Sequence, residues 1–207
     1  MPAKRKERAG RFRIDADRKR CIIGHELLCY AMRKLSEDLG TADEWGADPA
    51  EYTVRTGAHE KPYYTDVPVF FNISHSGERV MVALSPCEVG CDVEVKSRNA
   101  LSIAKRFFTE KEYEMLSSIG DEEAAGHEFT RLWTLKESVL KCCGDGIGRA
   151  MNDFSLVDDM GSRNSIVRLA GSEEIYHIKE YESENGYCYS VCSIYDRFED
   201  SIRRPDL

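Results

Sequence analysis

Two short segments of this sequence place acid and base at spacings that chemistry can use: Val89-Gly90-Cys91-Asp92-Val93-Glu94 and Trp133-Thr134-Leu135-Lys136-Glu137-Ser138-Val139-Leu140-Lys141. The first is β-prone, so Asp92 and Glu94 share one face of a strand while Cys91, Val93 and Val95 share the other. The second is helical, which makes Glu137 and Lys141 i, i+4 neighbours with Trp133 one turn earlier. If that helix crosses the strand's acidic face, Asp92, Glu94 and Glu137 converge on one point. Three hard oxygen donors without histidine or thiolate suit Mg²⁺ or Mn²⁺, which keeps waters and takes further oxygens from a substrate phosphate. Lys141 then offers a compact positive charge to the remaining phosphate oxygens. Taken separately, the two segments also read as the wet face of a strand and a surface ion pair worth about 0.3–0.5 kcal/mol. Their combination is what favours a site.

The elements that must position these residues follow from periodicity. Ile22, Ile23, Leu27, Leu28, Ala31, Met32 and Leu35 recur at helical spacing, predicting one long helix over 16–39 with Gly40 as its stop. A short strand is predicted at 52–56 and a turn at 59–63, where Pro62 excludes helix. Strands at 67–73 and 80–84 flank residues 74–78, which read as a hairpin connection, and the strand carrying Asp92 and Glu94 comes next. Helices are predicted at 101–108 and 110–118, the latter with Thr109 as N-cap and Glu112 completing a capping box. A second long helix runs over 120–143 with Phe129, Leu132, Trp133, Val139 and Leu140 as its apolar stripe. The glycines of 144–148 follow a helix, not a strand, and so read as a C-cap and turn rather than a dinucleotide fingerprint. Strands are predicted near 154–157, 165–169, 175–181 and 187–194, with Asn185-Gly186 as a tight hairpin, and the tail beyond Tyr195 reads as polar and loose. This order predicts an α+β protein of two similarly built lobes, 1–86 and 87–207.

Composition narrows the class. The 207 residues are 42% hydrophobic and 10% aromatic, enough for a true core. No apolar run reaches membrane-spanning length, and the basic start is not followed by the apolar stretch of a secretory signal, so a cytoplasmic chain that does not engage a membrane is expected. The eight cysteines include the adjacent pair Cys142-Cys143 and no Cys-x-x-Cys. Free buried thiols are expected rather than disulfides or zinc ligands. The net charge of −8 hides an asymmetry: residues 1–20 carry nine Lys or Arg against three acids, leaving −14 on the rest. A basic head on an acidic body suits a polyanionic ligand, although a solvated terminus looks the same in sequence.

Four stretches together resemble the 4′-phosphopantetheinyl transferases, in particular the larger single-chain type that activates synthetases such as that of surfactin. They are Phe71-Asn72-Ile73-Ser74-His75-Ser76-Gly77, the Val-Gly-Cys-Asp-Val-Glu segment, Phe107-Phe108-Thr109-Glu110-Lys111-Glu112-Tyr113, and the segment from Leu132 to Lys141. Their order and spacing match across residues 5–148. The resemblance implies a pseudo-dimer of two α+β lobes, monomeric, with the active site in the cleft between them. It implies coenzyme A as substrate and an apo acyl or peptidyl carrier protein as partner. The phosphopantetheine arm moves to a carrier serine in fatty-acid, polyketide or nonribosomal-peptide synthesis, and adenosine 3′,5′-bisphosphate leaves. Asp92, Glu94 and Glu137 fall at the family's metal positions, and Lys136 and Lys141 toward the pyrophosphate. Glu137, or a water it orients, is the implied base and Lys141 its catalytic companion. Ser74 and His75 match contacts to coenzyme A phosphates, Arg5 and Arg8 contacts to the 3′-phosphate, and Lys61 with Pro62 the family's Gly-Lys-Pro turn near adenine, with Glu60 in place of the glycine. The family places a strand ahead of the basic cluster, and this sequence begins almost at it.

Two other readings stay open on the residues alone. A metal-dependent nucleotide or pyrophosphate hydrolase shares the carboxylates but gives Ser74-His75 and the basic head no role. A non-catalytic nucleic-acid-binding protein would use the basic head, against which stand the acidic body and the lack of an aromatic RNA-binding motif, so no nucleic-acid partner is expected. Tyr113, Met115 and Leu116 read equally as a docking surface for a carrier helix and as core.

Overall fold

The computed structural model describes residues 7, 9–40, 52–57, 61–96, 100–144, 150–157 and 164–205. The order is α1 (Asp15–Leu39), β1 (Val54–Thr56), β2 (Pro62–Tyr64), β3 (Phe70–Ser76), β4 (Arg79–Ser85), β5 (Val89–Val95), α2 (Ala100–Phe107), α3 (Glu110–Ser117) and α4 (Glu122–Cys143). A 3₁₀ turn (Met151–Asp153) then leads to β6 (Asn164–Arg168), β7 (Ile175–Glu184) and β8 (Tyr187–Ser193). The mixed helices and antiparallel strands make this an α+β fold, as the sequence predicts. No helix among the described residues is long and apolar enough to cross a membrane.

Local chemistry explains the boundaries. Asp15 and Asp17 open α1 against its positive end, and Gly40, at φ 69°, closes it by donating its N–H to Glu37. Thr109 and Glu112 form the reciprocal capping box of α3. Asp121 caps α4 by accepting from Ala124 N, and Gly144 ends it at φ 73°. Asn185 and Gly186 both take positive φ, 52° and 76°, the two-residue turn that matches strand twist between β7 and β8.

The strands form three antiparallel sheets among the described residues: β1-β2, β3-β4 and β5-β8-β7-β6. α1 packs on the β3-β4 hairpin, burying Leu28 and Met32 with Tyr64, Val69 and Phe71. Helices α2 to α4 cover one face of the four-stranded sheet around Leu116, Leu132, Leu135, Val139 and Ile178. A third cluster, Met81, Ala83, Val89, Cys91, Val93, Tyr189 and Val191, joins the hairpin to β5 and β8. Each half of the chain thus lays a long helix on antiparallel strands.

Four sequence expectations need correction. The β3-β4 turn is only Gly77-Glu78, so Ser74 and His75 are strand residues with alternating faces and not loop residues. Pro62 begins β2, opposite Thr56, and does not sit inside a turn; residues 58–60 lie outside those described. Residues 154–157 form no strand, because the backbone there is spent on the Lys136 and Glu112 side chains. The tail is not loose: Phe198 and Ile202 pack on the third cluster, Arg203 pairs with Asp38 of α1, and Arg204 pairs with Glu184.

Candidate active site

β3 and β5 run side by side without joining into one sheet, and the site lies on that seam. Three polar side chains spaced two apart on β3 take the place of backbone acceptors: Asn72 Oδ1 accepts from Cys91 N at 2.9 Å, Ser74 Oγ from Val93 N at 3.4 Å, and Ser76 Oγ from Val95 N at 3.2 Å. The serine hydroxyls in turn donate to carboxylates, Ser74 to Asp92 Oδ1 and Ser76 to Glu94 Oε2, each at 2.7 Å. Asp92 and Glu94 therefore do share one face of β5, as alternation requires.

Helix α4 crosses that face at unusually short range. Gly90 permits it: a Cβ there would overlap Ser138 O and Cys142 N and come within 2.8 Å of Lys141 C. Ser190 of β8, opposite Asp92, locks the crossing by donating to Thr134 O at 2.8 Å. The helix consequently brings Glu137 and Lys141 to the acids. Lys141 Nζ donates to Asp92 Oδ1 at 2.5 Å and to Ser74 Oγ at 3.1 Å. The carboxylic acid of Glu137, half-buried, is pushed up from the ordinary range by desolvation and by Asp92 and Glu94, against the opposing pull of Lys141. Desolvation likewise raises Glu94, opposed by its hydrogen bond from Ser76. Lys141 is raised in spite of burial because Asp92 sits against it.

Asp92 is 1% exposed, and its second oxygen, Oδ2, has no hydrogen-bond partner. A buried carboxylate oxygen left unpaired is costly, so this atom is where the site is incomplete. A hard divalent cation suits the chemistry of this donor set, and Asp92, Glu94 and Glu137 are the residues that could hold it. Among the described residues, however, no three His, Cys, Asp or Glu side chains form a ready cage. The expected convergence of Asp92, Glu94 and Glu137 on one point is therefore met only in part. A partial protein site suits Mg²⁺, which completes its shell with waters and substrate oxygens.

Other expected residues lie differently. Lys136 is corrected outright: it is 0% exposed, its Nζ donates to Glu112 Oε1 at 2.7 Å and to Phe154 O at 2.5 Å, and it holds α3 and the 154–156 segment to α4. At 0% exposure it presents no open surface. Ser74 is buried, and its hydroxyl donates to Asp92 Oδ1. His75, on the opposite face of β3, is exposed. Lys61 pairs with Glu88 and donates to Cys142 O at 2.9 Å, tying β2 to the C-terminal end of α4, and Pro62 beside it is half-buried. Arg5 and Arg8 lie outside the described residues. Leu116 is core at 0% exposure, and Tyr113 and Met115 pack against that core, which removes Leu116 from any docking surface. Sequence reasoning missed Ser76 as a partner of Glu94. The signal was present in the period-two run Asn72-Ile73-Ser74-His75-Ser76, whose polar positions face the acids.

Comparison with known proteins adds an independent line. A family model described as the 4′-phosphopantetheinyl transferase superfamily matches residues 88–192. The chain is 32% identical over 202 residues to the 4′-phosphopantetheinyl transferase Sfp of Bacillus subtilis strain 168, covering 97% of this chain and 85% of that protein. It is 31% identical over 189 residues to the 4′-phosphopantetheinyl transferase psf-1 of Bacillus pumilus, covering 89% and 75%. It is 36% identical over 141 residues to the 4′-phosphopantetheinyl transferase gsp of Aneurinibacillus migulanus, covering 68% and 58%. With its acids, lysine and serines set along one strand seam, this chain belongs to the 4′-phosphopantetheinyl transferase superfamily.

Proposed function

We propose that this enzyme moves the 4′-phosphopantetheine arm of coenzyme A to a serine of an apo carrier protein at the β3-β5 seam, with Mg²⁺ or Mn²⁺ held by Asp92, Glu94 and Glu137. The observation that carries the reading is the buried Asp92, whose Oδ1 is held by Lys141 while its Oδ2 has no partner, with the charges of Asp92 and Glu94 near enough to raise Glu137. The two halves, 1–86 and 87–207, act as the paired lobes of a monomer, and the seam is the floor of their cleft.

In the reaction the serine Oγ of the carrier forms a bond to the phosphorus that bears pantetheine. The bond from that phosphorus to the bridging oxygen breaks, and adenosine 3′,5′-bisphosphate leaves with the electron pair. A cation held by Asp92, Glu94 and Glu137 would supply charge neutralisation to the pyrophosphate. Glu137, or a water it orients, takes the serine proton. Lys141, on its four-carbon stem, turns from Asp92 to a phosphate oxygen and offsets its charge. Ser74 fixes the rotamer of Asp92. His75, exposed near the end of β3, meets a coenzyme A phosphate, Lys61 with Pro62 borders the adenine, and Arg5 and Arg8, outside the described residues, supply the cations for the 3′-phosphate.

The test is mass spectrometry of apo carrier proteins incubated with the enzyme, coenzyme A and Mg²⁺. One phosphopantetheine should be gained on serine, and the gain should vanish in Asp92→Ala and Glu137→Ala while their circular dichroism stays that of the parent. Full activity in both folded variants would overturn the site assignment. Release of free phosphopantetheine without any carrier would favour the hydrolase instead.

A further inference from the structure

The hydrogen bonds across the seam have a regular arithmetic. Each β3 side chain accepts from the amide nineteen residues later, Asn72 from Cys91, Ser74 from Val93 and Ser76 from Val95. Each serine also donates to the carboxylate eighteen residues later, Ser74 to Asp92 and Ser76 to Glu94. A hydroxyl can serve both partners because it carries lone pairs and one proton, whereas an ionised carboxylate, which only accepts, could not. Each serine is thus clamped by a β5 N–H on one side and can aim its own O–H in only one useful direction. That direction is a carboxylate oxygen.

We infer that Ser76 is a positioning residue for metal binding, its hydroxyl holding the Glu94 carboxylate in the orientation in which it meets the cation. The inference rests on the metal reading proposed above. Ser76 itself touches neither the ion nor the reacting atoms. Asp92 is held by two side chains, Ser74 and Lys141, whereas Glu94, half-exposed near the end of β5, has Ser76 as its side-chain donor, with the neighbouring Val95 amide as a weaker backbone partner. Losing that donor leaves the Glu94 side chain free to rotate into solvent, and removes one orienting partner of the kind whose loss lowers metal affinity about tenfold or more.

The test is a Mn²⁺ titration of the full chain with saturating coenzyme A, free Mn²⁺ being read by electron paramagnetic resonance. Ser76→Ala should weaken Mn²⁺ binding about tenfold. Ser76→Thr keeps the hydroxyl and should bind within about twofold of the parent, while Ser76→Val, of the same shape but without the hydroxyl, should follow the alanine variant. Thr and Val are both strand formers, so the contrast between them isolates the hydroxyl from packing even if the alanine variant loosens the strand. Equal affinity in the threonine and valine variants would overturn the inference. Asp92→Ala separates the two levels of the argument. If it abolishes Mn²⁺ binding and Ser76→Val does not weaken it, Ser76 has no positioning role and the metal reading stands. If Asp92→Ala binds like the parent, the metal reading fails and this inference falls with it.

Discussion

Replacing Lys136 by methionine should destabilise the protein severely without altering its recognition of coenzyme A. Lys136 and Glu112 are both 0% exposed, with Nζ 2.7 Å from Oε1, and burial pulls the lysine below its usual range while Glu112 pulls it back. Breaking a buried pair by removing one partner costs about 3–5 kcal/mol, because the remaining charge stays buried. Glu112 retains three donors, Thr109 N, Thr109 Oγ1 and Leu156 N, each at 3.0 Å, which moderates that cost. Phe154 O loses its ammonium donor, and the ring of Phe154, 4.3 Å from Nζ, loses a cation at its face. Methionine keeps most of the methylene packing. A net loss of about 4 kcal/mol follows, and with a urea slope of about 2 kcal/mol/M the unfolding midpoint should fall by about 2 M. Lys136→Met with Glu112→Leu removes both charges and should be more stable than Lys136→Met alone, although it forfeits half of the α3 capping box. The assay is equilibrium urea unfolding, paired with the KM for coenzyme A at a temperature where each variant is folded. A midpoint within about 0.5 M of the parent together with a tenfold rise in KM would refute this reasoning and restore Lys136 to the ligand contacts.

Gly90→Ala should leave little folded, active enzyme, because the new methyl overlaps the backbone of α4 at Ser138 and Cys142 and pushes Glu137 and Lys141 away from β5; a parental urea midpoint with full carrier modification would contradict the close-approach argument. Thiol titration of the native protein at pH 8 should modify Cys21, Cys87 and Cys143, which are half-buried, and spare Cys91, whose thiol burial pushes up to about 12, until denaturant is added; rapid native labelling of Cys91 would show that β5 opens readily.

Periodicity was enough to read the two long helices, the capping box at Thr109, the Asn185-Gly186 hairpin and most strands, because each depends on neighbours within a turn or a strand. The strand that bears Asp92 and Glu94 and the helix that bears Glu137 and Lys141 were legible for the same reason. Their meeting was not: it depends on Gly90, whose missing Cβ matters only because α4 lies against it from some fifty residues away. Lys136 was misread on similar grounds. In sequence it neighbours Glu137, but on a helix adjacent residues point about 100° apart, so one faces the seam and the other the core, where Glu112 waits on α3. Ser74 and His75 were separated by the strand extending through Ser76, since alternation sends the first into the seam and the second to the surface of the hairpin.

The same alternation accounts for why the site sits on the seam and not within a sheet. Had β3 and β5 paired through their backbones, the β5 amides of Cys91, Val93 and Val95 would be satisfied by carbonyls, and no hydroxyl would be needed between the strands. Using Asn72, Ser74 and Ser76 as acceptors instead spaces the strands by a side chain and leaves the serine protons to be placed. They go to Asp92 and Glu94, so the device that joins the two halves of the chain is also the device that orients the acids. A substitution that removes the hydroxyl at 74 should therefore cost activity and stability together. Ser74→Val is the sharpest case, since it would leave Val93 N without its acceptor and Asp92 with Lys141 alone.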